Sequence, residues 1–192
     1  MATRATMVTM EPVAGSLLVA APTMADPNFA RTIVLLLDAS ESGALGVVLN
    51  RPTELEVVDV LEPWADLVVG PGVLFQGGPV ETDAALAVAT VAADDDPVGW
   101  RRVYGSTGLV DLDAPVEILA SAVSALRIFA GYAGWGSGQL EAEIDEGAWY
   151  VVPAEVQDPF LVEPERLWAQ VLRRQGGQLA MLATMPSEPG LN

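Results

Sequence analysis

Short apolar runs rich in β-branched residues, each ended by glycine, proline or a polar turn, most constrain the fold of this chain. The strongest of them, residues 33–37, is only five residues long. A helix that crosses a bilayer needs about 20 consecutive apolar residues, so this run is too short to span a membrane. A run that is apolar at successive positions is typical of a strand covered on both faces. The pattern therefore predicts at least one fully buried strand.

The same signals place further strands along the chain. Glycine and proline bound most of them, and the polar stretch 38–42 links two of them in a way that predicts a hairpin. The predicted strands are residues 15–21, 32–37, 44–50, 73–76, 84–91, 102–104, 127–132 and 149–152.

Two helices are predicted in the first two thirds of the chain from apolar residues at helical spacing. The first covers residues 57–64, with Thr53 as its cap and Pro63 near its end. The second begins at Asp113 and Pro115, because aspartate accepts hydrogen bonds from the amides of a first turn and proline has no amide to lose there. Its predicted inward face comprises Val116, Leu119, Val123 and Leu126.

A last helix is predicted to begin at Pro164 and to end before Gly176. Its inward residues are Leu167, Val171 and Leu172, and its negative end carries Arg173 and Arg174. Strands and helices do not alternate regularly, which predicts an α+β fold rather than a doubly wound parallel sheet. The 192 residues, 51% of them hydrophobic, suit a single domain. We assign it to residues 13–192, after a short flexible arm of residues 1–12.

The absence of three residue types excludes several kinds of catalysis. The chain has no His, no Cys and no Lys, so all nine cationic side chains are Arg. A Ser-His-Asp triad, a cysteine nucleophile, a Schiff-base lysine and a phosphate-binding loop with its lysine are all ruled out. A structural zinc site would also lack its usual ligands. The proton carriers of any enzyme built on this sequence must be Asp, Glu or Tyr.

The net charge restricts the partners of the chain. Nine Arg against 26 acidic residues leave a formal charge of −17. Binding to nucleic acid depends on cationic side chains that release counterions from the phosphates, so we expect no direct DNA binding. The same charge repels anionic headgroups, and we expect no membrane association. Residues 13–21 are apolar but lack the cationic start of a signal peptide, which predicts a cytoplasmic protein.

Several motifs in a fixed order resemble a known family. They are GSLLVA at residues 15–20, DPNFAR at 26–31, GALGVVLNRP at 43–52, GGPV at 77–80 and GYAGWGSGQLE at 131–141. Together they are similar to the YqgE/AlgH family over nearly the whole chain. The resemblance implies a bacterial α+β domain with coiled, forked, largely antiparallel or mixed sheets and flanking helices. The family is often labelled a transcriptional regulator, but the resemblance implies no agreed enzymatic or DNA-binding mechanism.

The sequence departs from that family at positions where many relatives carry histidine. One is Ala39, just before the acidic loop, and another follows the GGPV strand. Any imidazole-dependent mechanism of the family would therefore fail in this chain.

The glycine-rich segment 131–141 is the strongest candidate for a ligand site. Its glycines let a backbone approach a partner closely and expose amides at a helix start, where an anion or a small polar ligand would bind. Tyr132, Trp135, Gln139 and Glu141 are the candidate residues. The alternative is a tight strand-to-helix turn on which Tyr132 and Trp135 simply pack.

Two arginines beside apolar strands form a second candidate surface. Guanidinium groups suit bidentate contacts with carboxylate or phosphate, so Arg31 and Arg51 are candidates for the floor of a pocket. The motif residues Asn50, Gly77 and Gly78 are included in the same surface. The alternative is that each arginine pairs with a carboxylate of the protein, such as Asp26 or Glu141.

Acidic residues offer a third possibility. On a strand Glu141, Glu143 and Asp145 would share one face and hold Mg²⁺ or Ca²⁺, whereas on a helix they would spread around the axis. The preceding glycine turn favours the helix, and the acidic run 94–96 is interpreted as an exposed, solubilising loop. We therefore predict no metal, no cofactor and no catalytic residue.

Two functions follow from these observations. The leading hypothesis is a non-catalytic cytoplasmic regulatory or interaction protein that acts through contacts with a protein or a small ligand. The alternative is a carboxylate-dependent hydrolase, with or without a divalent ion held by oxygen ligands, because Asp and Glu are the abundant titratable groups.

Overall fold

Ten strands form one curled sheet in the computed structural model, which describes residues 10–92 and 96–186. The α+β prediction and the single compact sheet-based architecture are confirmed. The strands are β1 (Ser16–Ala20), β2 (Ile33–Ser40), β3 (Gly43–Val48), β4 (Pro52–Glu56), β5 (Val73–Gln76), β6 (Val80–Val91), β7 (Trp100–Tyr104), β8 (Thr107–Val110), β9 (Val123–Gly136) and β10 (Trp149–Pro153).

The long strand β9 forks the sheet. Its carboxyl end pairs antiparallel with β3, from which β2, β1 and β10 continue in that order. Its other edge pairs antiparallel with β6, followed by β8 and β7. Strand β5 joins β9 in parallel at Phe129 and Ala130, and β4 pairs with β5. Because neighbouring strands diverge from one shared strand, the sheet curls instead of lying flat.

The described part of the chain also contains five short α-helices. They are α1 (Val57–Val60), α2 (Val116–Ala120), α3 (Gln139–Asp145), α4 (Leu167–Gln175) and α5 (Gly177–Leu182). Three 3₁₀ segments add to them at Glu62–Leu67, Asp158–Phe160 and Pro164–Arg166. None of the described helices is long and apolar enough to cross a membrane.

Strand β2 is buried on both faces, as its sequence predicts. Ile33, Leu35 and Leu37 pack in the cluster that contains Trp168 and Val171 of α4. Val34 and Leu36 point to the opposite face, where α3 lies. Each such aliphatic side chain contributes about 1.5–3 kcal/mol on full burial, so the two layers hold the sheet from both sides. The indole of Trp168 also donates to the carbonyl of Ala20 (2.9 Å) and fixes α4 on β1.

The predicted helix beyond residue 120 is wrong. Helix α2 ends at Ala120, and Val123 and Leu126 belong to β9, which pairs residue by residue with β6. Leu119 and Leu126 nevertheless share one core cluster, so burial of a short helix and of the following strand produced an apparent helical spacing. Long-range pairing with β6 decided the conformation, which a local pattern does not register.

Other predictions of helix ends also need correction. Thr53 lies in β4, and its hydroxyl donates to the carbonyl of Leu74 (2.7 Å) instead of capping α1. Pro63 stands in the first turn of the 3₁₀ segment Glu62–Leu67 rather than near a helix end. The last helix is confirmed with Leu167, Val171 and Leu172 buried, and Trp168 is buried beside them, whereas α5, β4 and β8 were not predicted.

Two predictions fall partly outside the described residues. The flexible arm 1–12 and the domain start at residue 13 stay predictions, since residues 1–9 are not described. Asp94 and Asp95 also lie outside, while Asp96 forms an exposed ion pair with Arg102.

Candidate functional site

The glycine-rich segment forms a tight turn from β9 into α3. Gly138 caps the helix with a φ of 73°, a left-handed conformation that suits glycine. The amide of Gly136 donates to Oε1 of Gln139 (3.0 Å), and the Ser137 hydroxyl donates to the carbonyl of Glu41 (2.6 Å). The alternative interpretation of this segment as a tight turn therefore describes its backbone. An anion at the helix start is not favoured, because Gln139 already occupies the Gly136 amide and Glu141 lies in the first turn.

A carboxylate on α3 organises the side chains below this turn. Oε2 of Glu143 accepts the indole N–H of Trp135 (3.0 Å) and that of Trp149 (2.8 Å). Its other oxygen accepts from the amide of Gln139 (3.0 Å). The two indoles are 6% and 2% exposed, whereas Glu143 is half-buried. Strand β9, helix α3 and strand β10 thus meet at one hydrogen-bonded acid.

Three aromatic rings pack around this acid. Trp135 and Trp149 meet edge to face with centroids 6.0 Å apart, and Phe29 contacts Trp149 in the same way at 5.5 Å. The Phe29–Trp135 centroids are 6.2 Å apart. Such pairs add about 0.5–1.5 kcal/mol each beyond the area they bury, so the packed rings stabilise this corner of the fold.

A small cavity, here called the corner pocket, opens beside these rings. Its volume is about 200 Å³. It is lined by Met24, Asp26, Phe29, Gly134, Trp135, Gln139, Glu143, Ala148 and Trp149. The pocket combines aromatic rings with two carboxylates, and among the described residues no Arg lines it.

Glu141 lies elsewhere, although the sequence places it close to Glu143. It lines a separate cavity of about 330 Å³ with Glu11 and Glu41, next to the β2–β3 hairpin. The acids 141, 143 and 145 lie on α3, which confirms the helical interpretation. Within residues 10–92 and 96–186 no three acidic side chains form a cluster that could hold a metal ion.

Gly77, Gly78 and Tyr132 are brought together, and the two glycines lie at close backbone contacts. A Cβ on Gly77 would lie 2.3 Å from the carbonyl oxygen of Gly131, and one on Gly78 would lie 2.2 Å from the backbone of Tyr132. The glycines therefore allow β9 and the 77–79 turn to touch backbone to backbone. Tyr132 packs in the cluster on the α4 side, whereas Trp135 packs on the α3 side, since the two alternate along β9.

Hydrogen bonds attach the loop 21–32 to the sheet, and they involve the candidates Arg31, Asn50 and Arg51. Asn50 accepts from the amide of Ile33 and donates to the carbonyl of Arg31, both at 2.9 Å. Arg51 donates to the carbonyls of Pro27 (2.7 Å) and Ala30 (3.0 Å). Burial lowers the pKa of Arg51, and the charge of Asp26 partly offsets this shift.

The prediction that Arg31 and Arg51 pair with carboxylates is wrong within the described part of the chain. Arg31 donates to the carbonyls of Met185 and Pro186, each at 2.5 Å, and its guanidinium lies 4.5 Å from the ring centre of Trp168. Both arginines therefore donate to backbone carbonyls of neighbouring segments. These carbonyls lie in loops, where no neighbouring strand supplies a hydrogen-bond donor.

Sequence reasoning missed most of the corner pocket. Of its lining residues only Trp135 and Gln139 were among the candidates, and Glu143 was considered only as part of an acidic series. Asp26 was considered only as a partner of an arginine, and Phe29 and Trp149 were not candidates. A signal was present, because tryptophans stand eight residues before and six residues after an acid on a predicted helix.

A buried arginine was also missed. Arg127, in β9, has no exposed surface and lies 4.2 Å from the ring centre of Phe75. It donates to the carbonyls of Gly70 (2.6 Å), Pro159 (3.1 Å) and Leu161 (2.9 Å). Burial lowers its pKa to about 10. Arg127 thus joins the loop that contains Gly70 and the segment around Pro159 and Leu161 to the sheet.

The forked sheet and the glycine turn into α3 define a class of small α+β proteins, and comparisons with known proteins agree. The AlgH-like family model matches residues 17–180. The UPF0301 protein SCO2948 of Streptomyces coelicolor is 62% identical over 193 residues, which cover 97% of this chain and 98% of that protein. The UPF0301 protein of Thermobifida fusca is 50% identical over 187 residues, 93% of this chain and 94% of the relative.

Solved structures give the same answer. Protein DIP2367 of Corynebacterium diphtheriae superposes with a TM-score of 0.89 at 34% identity, over 93% of this chain and 95% of that one. The AlgH protein of Pseudomonas aeruginosa superposes with a TM-score of 0.68 at 31% identity, over 94% and 98% of the two chains. The chain belongs to the AlgH-like family. This membership defines its fold and assigns no chemistry to it.

Proposed function

We propose that this protein is a non-catalytic cytoplasmic binding protein that takes a small molecule in the corner pocket. The observation that carries the proposal is the preformed acid at its wall. Glu143 is held by three N–H donors from β9, α3 and β10, so its position does not depend on a ligand. A pocket whose walls are fixed in advance loses little conformational freedom on binding.

The same hydrogen bonds argue against a catalytic role for Glu143. A proton taken up on Oε2 would weaken the acceptor that two nearly buried indole N–H groups share. An unpaired buried donor costs about 1–3 kcal/mol. A sequence without His, Cys or Lys has few other groups to carry a proton at neutral pH.

The structure places two acids, Asp26 and Glu143, in the corner pocket, which is the minimum that a carboxylate-dependent hydrolase requires. Glu143, however, already accepts three N–H donors, and Glu141 lines a different cavity. We therefore do not propose it. A turnover screen of the purified protein against metabolites tests this choice, and turnover abolished by Glu143→Gln would contradict a binding role.

We also propose that any effect on transcription is indirect. The two Arg pairs of the chain are partly committed to internal contacts. Arg102 pairs with Asp96, and Arg174 contacts both oxygens of Asp158 at 2.6 and 2.7 Å. A fluorescent promoter DNA titrated at physiological salt should show no binding, and salt-sensitive binding tighter than about 10⁻⁴ M would contradict this proposal.

The binding role is tested by NMR of the five tryptophan indoles. Trp135 and Trp149 contact the corner pocket, whereas Trp64, Trp100 and Trp168 lie in other parts of the core. A fragment library of cationic, neutral and anionic members is added to ¹⁵N-labelled protein. We expect at least one fragment to shift the indole signals of Trp135 and Trp149 alone. If every fragment leaves these two signals in place, the corner pocket is not the binding site.

A further inference from the structure

The side chains around the corner pocket supply acceptors and use up their donors. Three of the lining side chains carry N–H groups, and all three direct one to Glu143. Each indole has a single N–H, so Trp135 and Trp149 keep none for a ligand. Gln139 uses its oxygen for Gly136 and one amide N–H for Glu143. An anionic ligand would therefore meet almost no side-chain donor in this pocket.

Negative charge is present on the same walls. The carboxyl group of Glu143 is surrounded by neutral donors, and Asp26 lies on the loop 21–32, where one of its oxygens accepts the amide N–H of Asn28 (2.9 Å). The Arg51 guanidinium donates to two backbone carbonyls and does not line the pocket.

The aromatic walls favour the same kind of ligand. The indole N–H groups of Trp135 and Trp149 are bonded to Glu143, and both tryptophans line the cavity together with Phe29. Rings of this kind attract cations within about 6 Å of their centres, and quaternary ammonium groups are often held in such surroundings. The cavity of about 200 Å³ is too small for a peptide or a nucleotide.

We infer that the corner pocket binds a small organic cation of the ammonium class. The inference rests on the proposed binding function and names its ligand. The ammonium group contacts the aromatic rings and is balanced by the carboxylates of Glu143 and Asp26.

The test compares three probes of the same shape and different charge. They are choline, its uncharged carbon analogue 3,3-dimethylbutan-1-ol, and the anion 3,3-dimethylbutanoate. We expect choline to shift the Trp135 and Trp149 indole signals and to bind at least about tenfold more tightly than the neutral analogue. The anion should leave the two signals unchanged.

Two variants and one control assign the effect to charge. Glu143→Gln should weaken choline binding about tenfold, and the exposed Asp26→Asn about threefold. Asp26 lies at the surface, so this variant keeps the test valid if Glu143→Gln fails to fold. Glu141→Gln removes an equal charge from the separate cavity and should leave the affinity unchanged.

The outcomes separate this inference from the proposed function. If the neutral analogue or the anion binds in the corner pocket as tightly as choline, the ammonium class is wrong and the binding function stands. If choline binds but Asp26→Asn and Glu141→Gln weaken it equally, the attraction is a general effect of net charge and the inference fails. If neither these probes nor the fragment library shift the two indole signals, both proposals fail.

Discussion

Replacement of Glu143 by alanine removes the single acceptor shared by two indoles. Trp135 and Trp149 are 6% and 2% exposed, and each donates its only N–H to Oε2 of this residue. An unsatisfied buried donor costs about 1–3 kcal/mol. Glu143 is half-buried, so water can enter the space that alanine leaves and satisfy part of this demand. The lower limit for each indole then gives a loss of about 2 kcal/mol in the free energy of unfolding.

The assay is urea unfolding at neutral pH, with Glu143→Gln and Asp145→Ala as matched variants. Glutamine keeps an acceptor oxygen near the indoles and should cost about 1 kcal/mol or less. Asp145 is exposed in the last turn of the same helix, and its replacement should change stability by less than about 0.5 kcal/mol. A Glu143→Ala protein as stable as the parent would refute the account of Glu143 as the organiser of this corner.

Three further predictions concern the fold. Arg127→Met leaves the carbonyls of Gly70, Pro159 and Leu161 without their donor, so urea unfolding should show a loss of about 3 kcal/mol; a neutral effect would mean that relief of the buried charge compensates fully. Gly77→Ala should cost at least about 3 kcal/mol in the same assay, because its Cβ would lie 2.3 Å from a backbone oxygen. Gly134→Ala is the control and should be tolerated, because the nearest contact of its Cβ would be at 3.7 Å. Equal losses of stability in the two variants would contradict the packing argument. Burial raises the pKa of Tyr104 above its ordinary value of 10.0. The folded state then keeps a proton that the unfolded state loses, so stability should fall above about pH 10 by up to about 1.4 kcal/mol per pH unit, and a Tyr104→Phe protein with the same alkaline decline would contradict this assignment.

The parts of the fold that sequence could predict are those with a strong local signal. Residues 33–37 are apolar at every position, and a strand buried on both faces is the structure that suits them. Pro164 and the arginines near Gly176 likewise indicate the start and the end of the helical segment that contains α4. These predictions are correct because the tertiary contacts favour the same conformation as the local sequence.

The rest depended on contacts between distant segments. Val123 and Leu126 have the spacing of a helix, but pairing with β6 places them in a strand. Arg127 is a charged residue in an apolar stretch, and its acceptors lie 32, 34 and 57 residues away. No periodicity over a window of neighbours reports such partners.

The corner pocket shows the same limit. Trp135 and Gln139 come from the glycine motif, which drew attention through its unusual composition. Asp26 and Phe29 come from a loop more than a hundred residues earlier, and this loop starts beside the pocket because Ala20, the last residue of β1, pairs with Trp149 of β10. The topology of the sheet, which the sequence pattern did not predict in detail, creates the pocket.

A crystal structure of the protein grown with choline tests the central claim most directly. The account predicts density for choline in the corner pocket, with its ammonium group against Trp135 and Trp149 and within reach of the carboxylates of Glu143 and Asp26. The three hydrogen bonds to Glu143 should be the same with and without choline, since the pocket is formed in advance. The claim would be contradicted if choline bound at another surface and the corner pocket held only water.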